Sequence, residues 1–319
     1  MFKNFNILLF TILNLFSSEA EAEAESEPES ESESRKIPVG GQAVIEGVLM
    51  KGKKLWGLAV RKPSGEIFKD SWPNSSRIER MPYKLPLIRG VVVMCEMMAT
   101  GFKALSKSAE VALEETQEKL TFKDMLFSIF AAVIAVGGLF IALPLFGAKL
   151  FNLPPLYTNI IEGVLRALIF IGYVAIIGLW KDIREVFKYH GAEHKTINAF
   201  EKNFKMTPEN ILKCSRIHPR CGTSFLLIAV IVSIIVFSPV KILIGNNFLY
   251  QVLARIILIP VVIGISYEII KLASNSGKFG FCVIAPFLSL QYLTTREPNL
   301  KQAEVALISL KTALNREAI

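Results

Sequence analysis

Apolar residues gather in four long blocks, at about 124–148, 158–180, 223–244 and 249–271. Each approaches the ~20 residues that a helix rising about 1.5 Å per residue needs to cross a hydrocarbon core about 30 Å thick. A fifth apolar stretch, FGFCVIAPFLSLQYL at 279–293, is shorter and contains Pro286, so it reads as re-entrant or interfacial. Upstream the period changes. VGGQAVIEGVLMKG at 39–52 is β-like with glycine punctuation, and LWGLAVR and EIFKDSW flank a turn at Pro63-Ser64-Gly65. A small β unit is therefore expected within 37–86. Over 87–108, Ile88, Val91, Val92, Cys95, Met98, Ala99, Phe102 and Leu105 recur at helical spacing while Arg89, Glu96, Lys103 and Lys107 interrupt the run. That is an amphipathic helix, assigned to 87–122, lying at the membrane interface or packed on the bundle.

The fold class so predicted is mainly α. It is an integral membrane helical bundle of about four transmembrane helices, with a small N-terminal β unit and an amphipathic helix. The bundle occupies 123–293, a polar connection at 181–222 interrupts it, and a tail follows at 294–319. At the other end, residues 1–18 hold one lysine and about a dozen apolar residues. Glu19 to Ser34 then alternates glutamate with alanine or serine apart from Pro28. Residues 1–36 read as a leader plus a disordered, glutamate-rich tether.

Composition agrees with lipid as a solvent: the 319 residues are 52% hydrophobic with a mean hydropathy of +0.43. The net charge of +8 adds orientation. Lys181, Arg184, Lys188, Lys195, Lys202, Lys205, Lys213, Arg216 and Arg220 crowd the connection, whereas the turns near 149–157 and 242–248 hold almost no basic residues. By the positive-inside rule the connection, the β unit and the C-terminus are cytoplasmic and the protein sits in the cell membrane. Its expected partners are the lipid bilayer and a membrane-associated substrate. Nucleic acid is not expected, because no basic helix or aromatic-basic platform stands out. Cys95, Cys214, Cys221 and Cys282 lack the spacing of a disulfide framework and read as reduced thiols, Cys214 as a packed or exposed one.

The chemistry lies in the connection. The chain has three histidines, His190, His194 and His218, and all fall there. His190-Gly191-Ala192-Glu193-His194 is an H-x-x-E-H sequence. On a helix its histidines sit about 40° apart and one turn removed, so both imidazoles reach one divalent metal ion, zinc first and iron second. Glu193 is placed to act on a water or supply an oxygen ligand. A third ligand is sought in His218 and Cys221, spaced H-x-x-C ahead of the next apolar block. Glu201 is excluded, lying about 10 Å along the helix from His194. Lys195 or Arg220 would stabilise developing negative charge. Ionisable residues also fall inside apolar blocks: Glu162 and Arg166 at pairing distance, Arg255, and Glu268, which is a candidate added ligand or a residue that orients one. Three functions follow: a metal-dependent enzyme of hydrolytic type, a non-catalytic assembly factor or sensor stapled by a metal, and, last, a transporter.

Four segments resemble one family. GGQAVIEGVLMKG at 40–52, YHGAEHKTINAFE at 189–201, HPRCGTSFL at 218–226 and LTTREP at 293–298 are similar to the YqhQ-like family of bacterial multi-pass membrane proteins, a domain of unknown function. The likeness runs from about Pro38 to the C-terminus. It implies a metal-dependent enzyme without an established substrate, with His190, Glu193 and His194 in one motif and His218 and Cys221 in the other. The leader and acidic repeat depart from the family pattern.

Overall fold

The structure, a computed structural model, describes residues 39–75, 81–112, 122–245, 247–276, 280 and 285–315. The expected leader and tether lie outside the described residues, as does Cys282. Four antiparallel strands come first: β1 (Gly40–Val44), β2 (Gly47–Lys51), β3 (Leu55–Arg61) and β4 (Ile67–Pro73), a meander in that order. The β1–β2 turn has two residues, and the second, Glu46, takes a φ of 49°. The turn read at Pro63-Ser64-Gly65 joins β3 to β4, with Gly65 at φ 89°, where a side chain would be strained.

The helices are α1 (Ile88–Ala112), α2 (Phe122–Gly137), α3 (Leu143–Lys149), α4 (Pro155–Ile177), α5 (Lys181–Glu201), α6 (Pro208–Leu212), α7 (Gly222–Phe237), α8 (Val240–Ile244), α9 (Phe248–Asn275), α10 (Gln291–Thr294) and α11 (Leu300–Leu314). A π-helical stretch, Gly138–Ala142, joins α2 to α3. The protein is thus mainly helical with a small N-terminal sheet.

Both faces of the sheet are covered. Val48, Met50 and Ala59 pack with Tyr189, Ala192 and Ile197 of α5 and with Ala306, Leu310 and Ala313 of α11. Leu49, Leu58 and Val60 point the other way, against Ala104 and Val111 of α1. A strand buried on both faces loses its alternation, which is why GVLM reads as an unbroken apolar run.

Residues 294–315, part of the segment expected as a tail at 294–319, are therefore packed structure. Asn299 and Gln302 close a capping box, each side chain reaching the other's backbone N–H. The helix they start lies tight on β3: a β-carbon at Gly57 would sit 2.4 Å from the Ala313 nitrogen.

The α1 helix forms where its period placed it, but it turns a different face inward. Gly90, Ala104, Ser108 and Val111 are buried, whereas Met98 is 67% and Phe102 51% exposed. Close approach explains the choice. A β-carbon at Gly90 would lie 2.7 Å from that of Tyr267, and one at Gly101 would lie 2.2 Å from the Gln42 side-chain oxygen.

Among the described residues, three stretches are long and apolar enough to cross a membrane: Phe130–Lys149, Tyr157–Ile177 and Phe248–Ala273. The expected block at 223–244 is divided. Helix α7 ends at Phe237 after 16 residues, and Pro239, which lacks an N–H, separates it from α8. Three ionisable residues of the apolar blocks, Glu162, Arg166 and Arg255, pair with one another. Both nitrogens of the Arg255 fork reach the Glu162 carboxylate, at 2.7 and 2.5 Å, and Arg166 bonds Glu162 at 2.6 Å and Ser233 at 2.7 Å. Arg166 Nε also donates to the Phe140 carbonyl at 2.9 Å. The residue four further on, Pro144, has no N–H to offer that carbonyl, so the guanidinium takes the place of a helix hydrogen bond.

Truncating a fully buried side chain of α11 tests its place in the core. Leu310→Ala should cost about 2–5 kcal/mol in chemical unfolding, and Leu300→Ala, at an exposed position, within about 0.5 kcal/mol of nothing.

Candidate metal centre

Helix α5 carries the site because three backbone segments close on it. A β-carbon at Gly191 would lie 2.1 Å from the Arg296 carbonyl oxygen, so the glycine lets the 294–298 segment run against the helix. There the Arg296 N–H donates to the Phe187 carbonyl at 2.9 Å, and the Thr294 carbonyl lies 2.9 Å from His190 Nδ1. The second segment, leading from α6 toward α7, sets the Arg216 carbonyl 2.6 Å from His194 Nδ1. The third is β1, whose Gly41 packs on the Glu193 side chain.

These contacts fix the imidazoles chemically. A carbonyl only accepts, so Nδ1 of each ring carries the proton and Nε2 keeps its lone pair. The two rings are edge to face with centroids 4.4 Å apart. Cys221 Sγ lies 3.4 Å from His190 Nε2. One donor atom from each of His190, His194 and Cys221 falls within 4.8 Å of the others, close enough to share a metal ion.

Cys221 is also the N-cap of α7, and its sulfur accepts from the Thr223 N–H at 3.4 Å. Burial pushes the thiol up. The adjacent His194 and the Thr223 donors outweigh burial and bring it below its ordinary value.

Glu193 is the buried carboxyl of the site. Burial raises it to about 8, His190 opposes that rise and Cys221 adds to it. Its Oε2 has no hydrogen-bond partner among the described residues. A cavity of about 310 Å³ opens in front, walled by Gly40–Ala43 of β1 on one side and by His190, Glu193, His194 and Cys221 on the other.

His218 stays out of the cluster. Its Nδ1 accepts from the Arg220 N–H at 3.4 Å, which puts the ring proton on Nε2, and Nε2 lies 3.6 Å from Glu201 Oε2. At 3.6 Å the two do not hydrogen-bond, so Nε2 is buried without a partner among the described residues, and the ring borders the cavity without joining the three clustered donors. Burial lowers its pKa to about 4, so the ring is neutral. Glu268 is also elsewhere: Arg89 grips its carboxylate with Nε at 2.7 Å and with a second nitrogen, and the Leu87 N–H adds a bond at 3.4 Å.

Lys195 faces away from the cavity. Its ammonium donates to the carbonyls of Leu212 and Cys214 at 2.9 and 2.7 Å and pairs with Glu297 at 3.1 Å, so it fastens the loop behind the site. Arg220 borders the cavity and is paired with Glu201. Cys214 is a buried thiol of the core.

Sequence spacing did not single out Thr294, Arg216, Gln291 or Gly41. Gln291 clamps the His218 backbone, accepting from its N–H at 2.9 Å and donating to its carbonyl at 2.8 Å. Gly41 and Thr294 do lie in the GGQAV and LTTREP segments, so segment-level likeness was their one signal.

The fold and site together define a mainly helical protein with candidate membrane spans and a cluster of imidazole, thiol and carboxyl groups beside a small sheet. The chain belongs to the family described as a protein of unknown function (DUF1385), which matches residues 85–316. It is 35% identical over 308 residues to the uncharacterized protein YqhQ of Bacillus subtilis (strain 168), covering 89% of this chain and 95% of that protein. No solved structure matches the chain.

The depressed His218 gives a pH signature. The unfolded ring takes its proton near pH ~6.5 and the folded ring near the lower value, so the unfolded state binds more protons between them. Stability should therefore fall as pH drops from about 6.5 to about 4, and His218→Asn should make that limb of the thermal-midpoint profile shallower.

Proposed function

We propose that this protein is a membrane-embedded, metal-dependent hydrolase. Its ion is held by His190, His194 and Cys221, and Glu193 moves the proton. The observation that carries the reading is the pair of Nδ1 contacts to the Thr294 and Arg216 carbonyls, which leaves two Nε2 lone pairs converging beside a thiol. Such anchoring of the far ring nitrogen is how ligating histidines are oriented.

The donor set suits zinc, and iron second. Bound there, the ion supplies Lewis-acid chemistry. The buried Oε2 of Glu193, without a hydrogen-bond partner among the described residues, is placed to take a proton in the cavity and return it to a leaving group. Three protein donors leave a fourth position for a reactant, and His218 stands outside the group of atoms close enough to share the ion. That favours catalysis over a metal staple, in which all four positions are taken by protein.

The membrane reading extends the three long apolar helices by a fourth. Helix α7 crosses with them, packed on α4 and α9 and tied to Arg166 through Ser233. Its roughly 24 Å is short for the hydrocarbon core, a mismatch that thinning or tilted neighbours absorb. The basic connection, the sheet and α11 face the cytoplasm. The centre then sits where α4 ends and α7 begins, at the inner membrane boundary, within reach of a membrane-associated substrate.

Metal content of the purified protein tests the ligands. Wild type and Glu193→Gln should hold one equivalent of zinc, and His190→Ala, His194→Ala and Cys221→Ala should hold little. Equal content in all five refutes the centre. In cells, Glu193→Gln should fail to complement a deletion, a loss of about 10²–10⁴ in turnover. Full complementation by that variant would instead indicate a staple. Orientation is read separately: with Cys95 replaced by serine, a cysteine at the exposed position of Lys205 should react only from the cytoplasmic side.

A further inference from the structure

Among the described residues, strand β1 ends the sheet, with β2 as its single neighbour. The register of the sheet shows which of its backbone groups are spent. The Arg61 N–H donates to the Glu46 carbonyl, so residues 46, 48 and 50 bond toward β3 and residues 47, 49 and 51 bond toward β1. Their partners are Val44, Gln42 and Gly40. Gly41 and Ala43 therefore aim their N–H and C=O groups away from the sheet, and no hydrogen bond reaches those four groups from the described residues. Both residues are partly exposed and line the cavity that His190, Glu193, His194 and Cys221 close on the far side. A β-carbon at Gly40 would meet nothing within 4 Å, so the groove is open there too.

We propose that the free edge of β1 is the substrate-binding strand of this centre and that the substrate is an extended peptide segment. The proposal rests on the metal-dependent reading above and names its substrate class. The edge offers donors and acceptors in alternation about two residues apart, a pattern that another peptide backbone satisfies group for group. A phosphate would use the donors alone, and an acyl chain would leave all four groups dry and unpaired.

A peptide added along β1 enters the cavity that the three converging donor atoms also line, which brings its carbonyl groups within that cavity. Val186, Phe187 and Leu226 form an apolar wall for its side chains. Hydrolysis forms a C–O bond from water to the carbonyl carbon and breaks the C–N bond. The hydroxyl stays on the acyl carbon, and the second water proton passes through Glu193 to the departing amine nitrogen.

The test uses the full chain in nanodiscs, loaded with zinc and carrying Glu193→Gln so that peptides are held and not cut. A mixture of synthetic unstructured decapeptides is the probe, and bound peptides are identified by mass spectrometry. Ala43→Pro removes one outward N–H without removing a bond to β2, a place on an edge strand where proline is tolerated. Capture should fall about two- to tenfold in that variant, the effect of losing one backbone hydrogen bond. N-methylation of a captured peptide, which leaves the protein unchanged, should weaken binding at alternate positions. Capture indifferent to both changes, or no capture by protein that holds zinc, overturns the proposal. Zinc content measured on the same samples separates this outcome from failure of the metal centre itself.

Discussion

Two backbone carbonyls, those of Thr294 and Arg216, decide what the imidazoles of α5 can do. Without an acceptor at Nδ1, a neutral histidine is free to place its proton on either nitrogen and to turn its ring. With one, the lone pair at Nε2 is fixed in direction, and two such rings four residues apart aim at one point with Cys221. The carbonyls are delivered by tertiary packing. Gly191 admits the 294–298 segment, Lys195 and Glu297 fasten the loop behind it, and α11 holds the segment's far end against the sheet. The small sheet and the C-terminal helix are thus the frame of the site.

That dependence explains which parts of the site were legible in sequence. The H-x-x-E-H spacing identified His190, Glu193 and His194 from helix geometry alone, and Cys221 was one of two named candidates for the third donor. Spacing could not choose between His218 and Cys221, because the choice rests on tertiary placement. Arg220 donates to His218 Nδ1, and the fold sets Cys221, not His218, within sharing distance of the other two rings. Lys195 and Glu268 were misread for a related reason. A charged residue near a motif is as readily a fastener as a catalyst, and only its partners tell which.

The fold was legible at the level of period and opaque at the level of partner. Helical spacing placed α1 correctly, but the sheet and Tyr267 approach so closely that glycine, alanine and serine face inward and the large apolar residues face outward. The Asn299–Gln302 capping box starts α11, whose packing partners on the sheet are far away in sequence, so local pattern alone leaves this segment a tail. In the apolar blocks, Pro239 shortens α7, and Pro144 leaves the Phe140 carbonyl to Arg166. The expected i, i+4 pair of Glu162 and Arg166 formed, with Arg255 as a third member.

The central claim is that two imidazole nitrogens and one thiolate share an ion and leave a position for a reactant. X-ray absorption at the zinc edge on the purified protein reads that directly. The account predicts two nitrogen scatterers at about 2.0–2.1 Å, one sulfur at about 2.3 Å and one further light atom. A shell without sulfur, or one with a third imidazole completing four protein ligands, contradicts it.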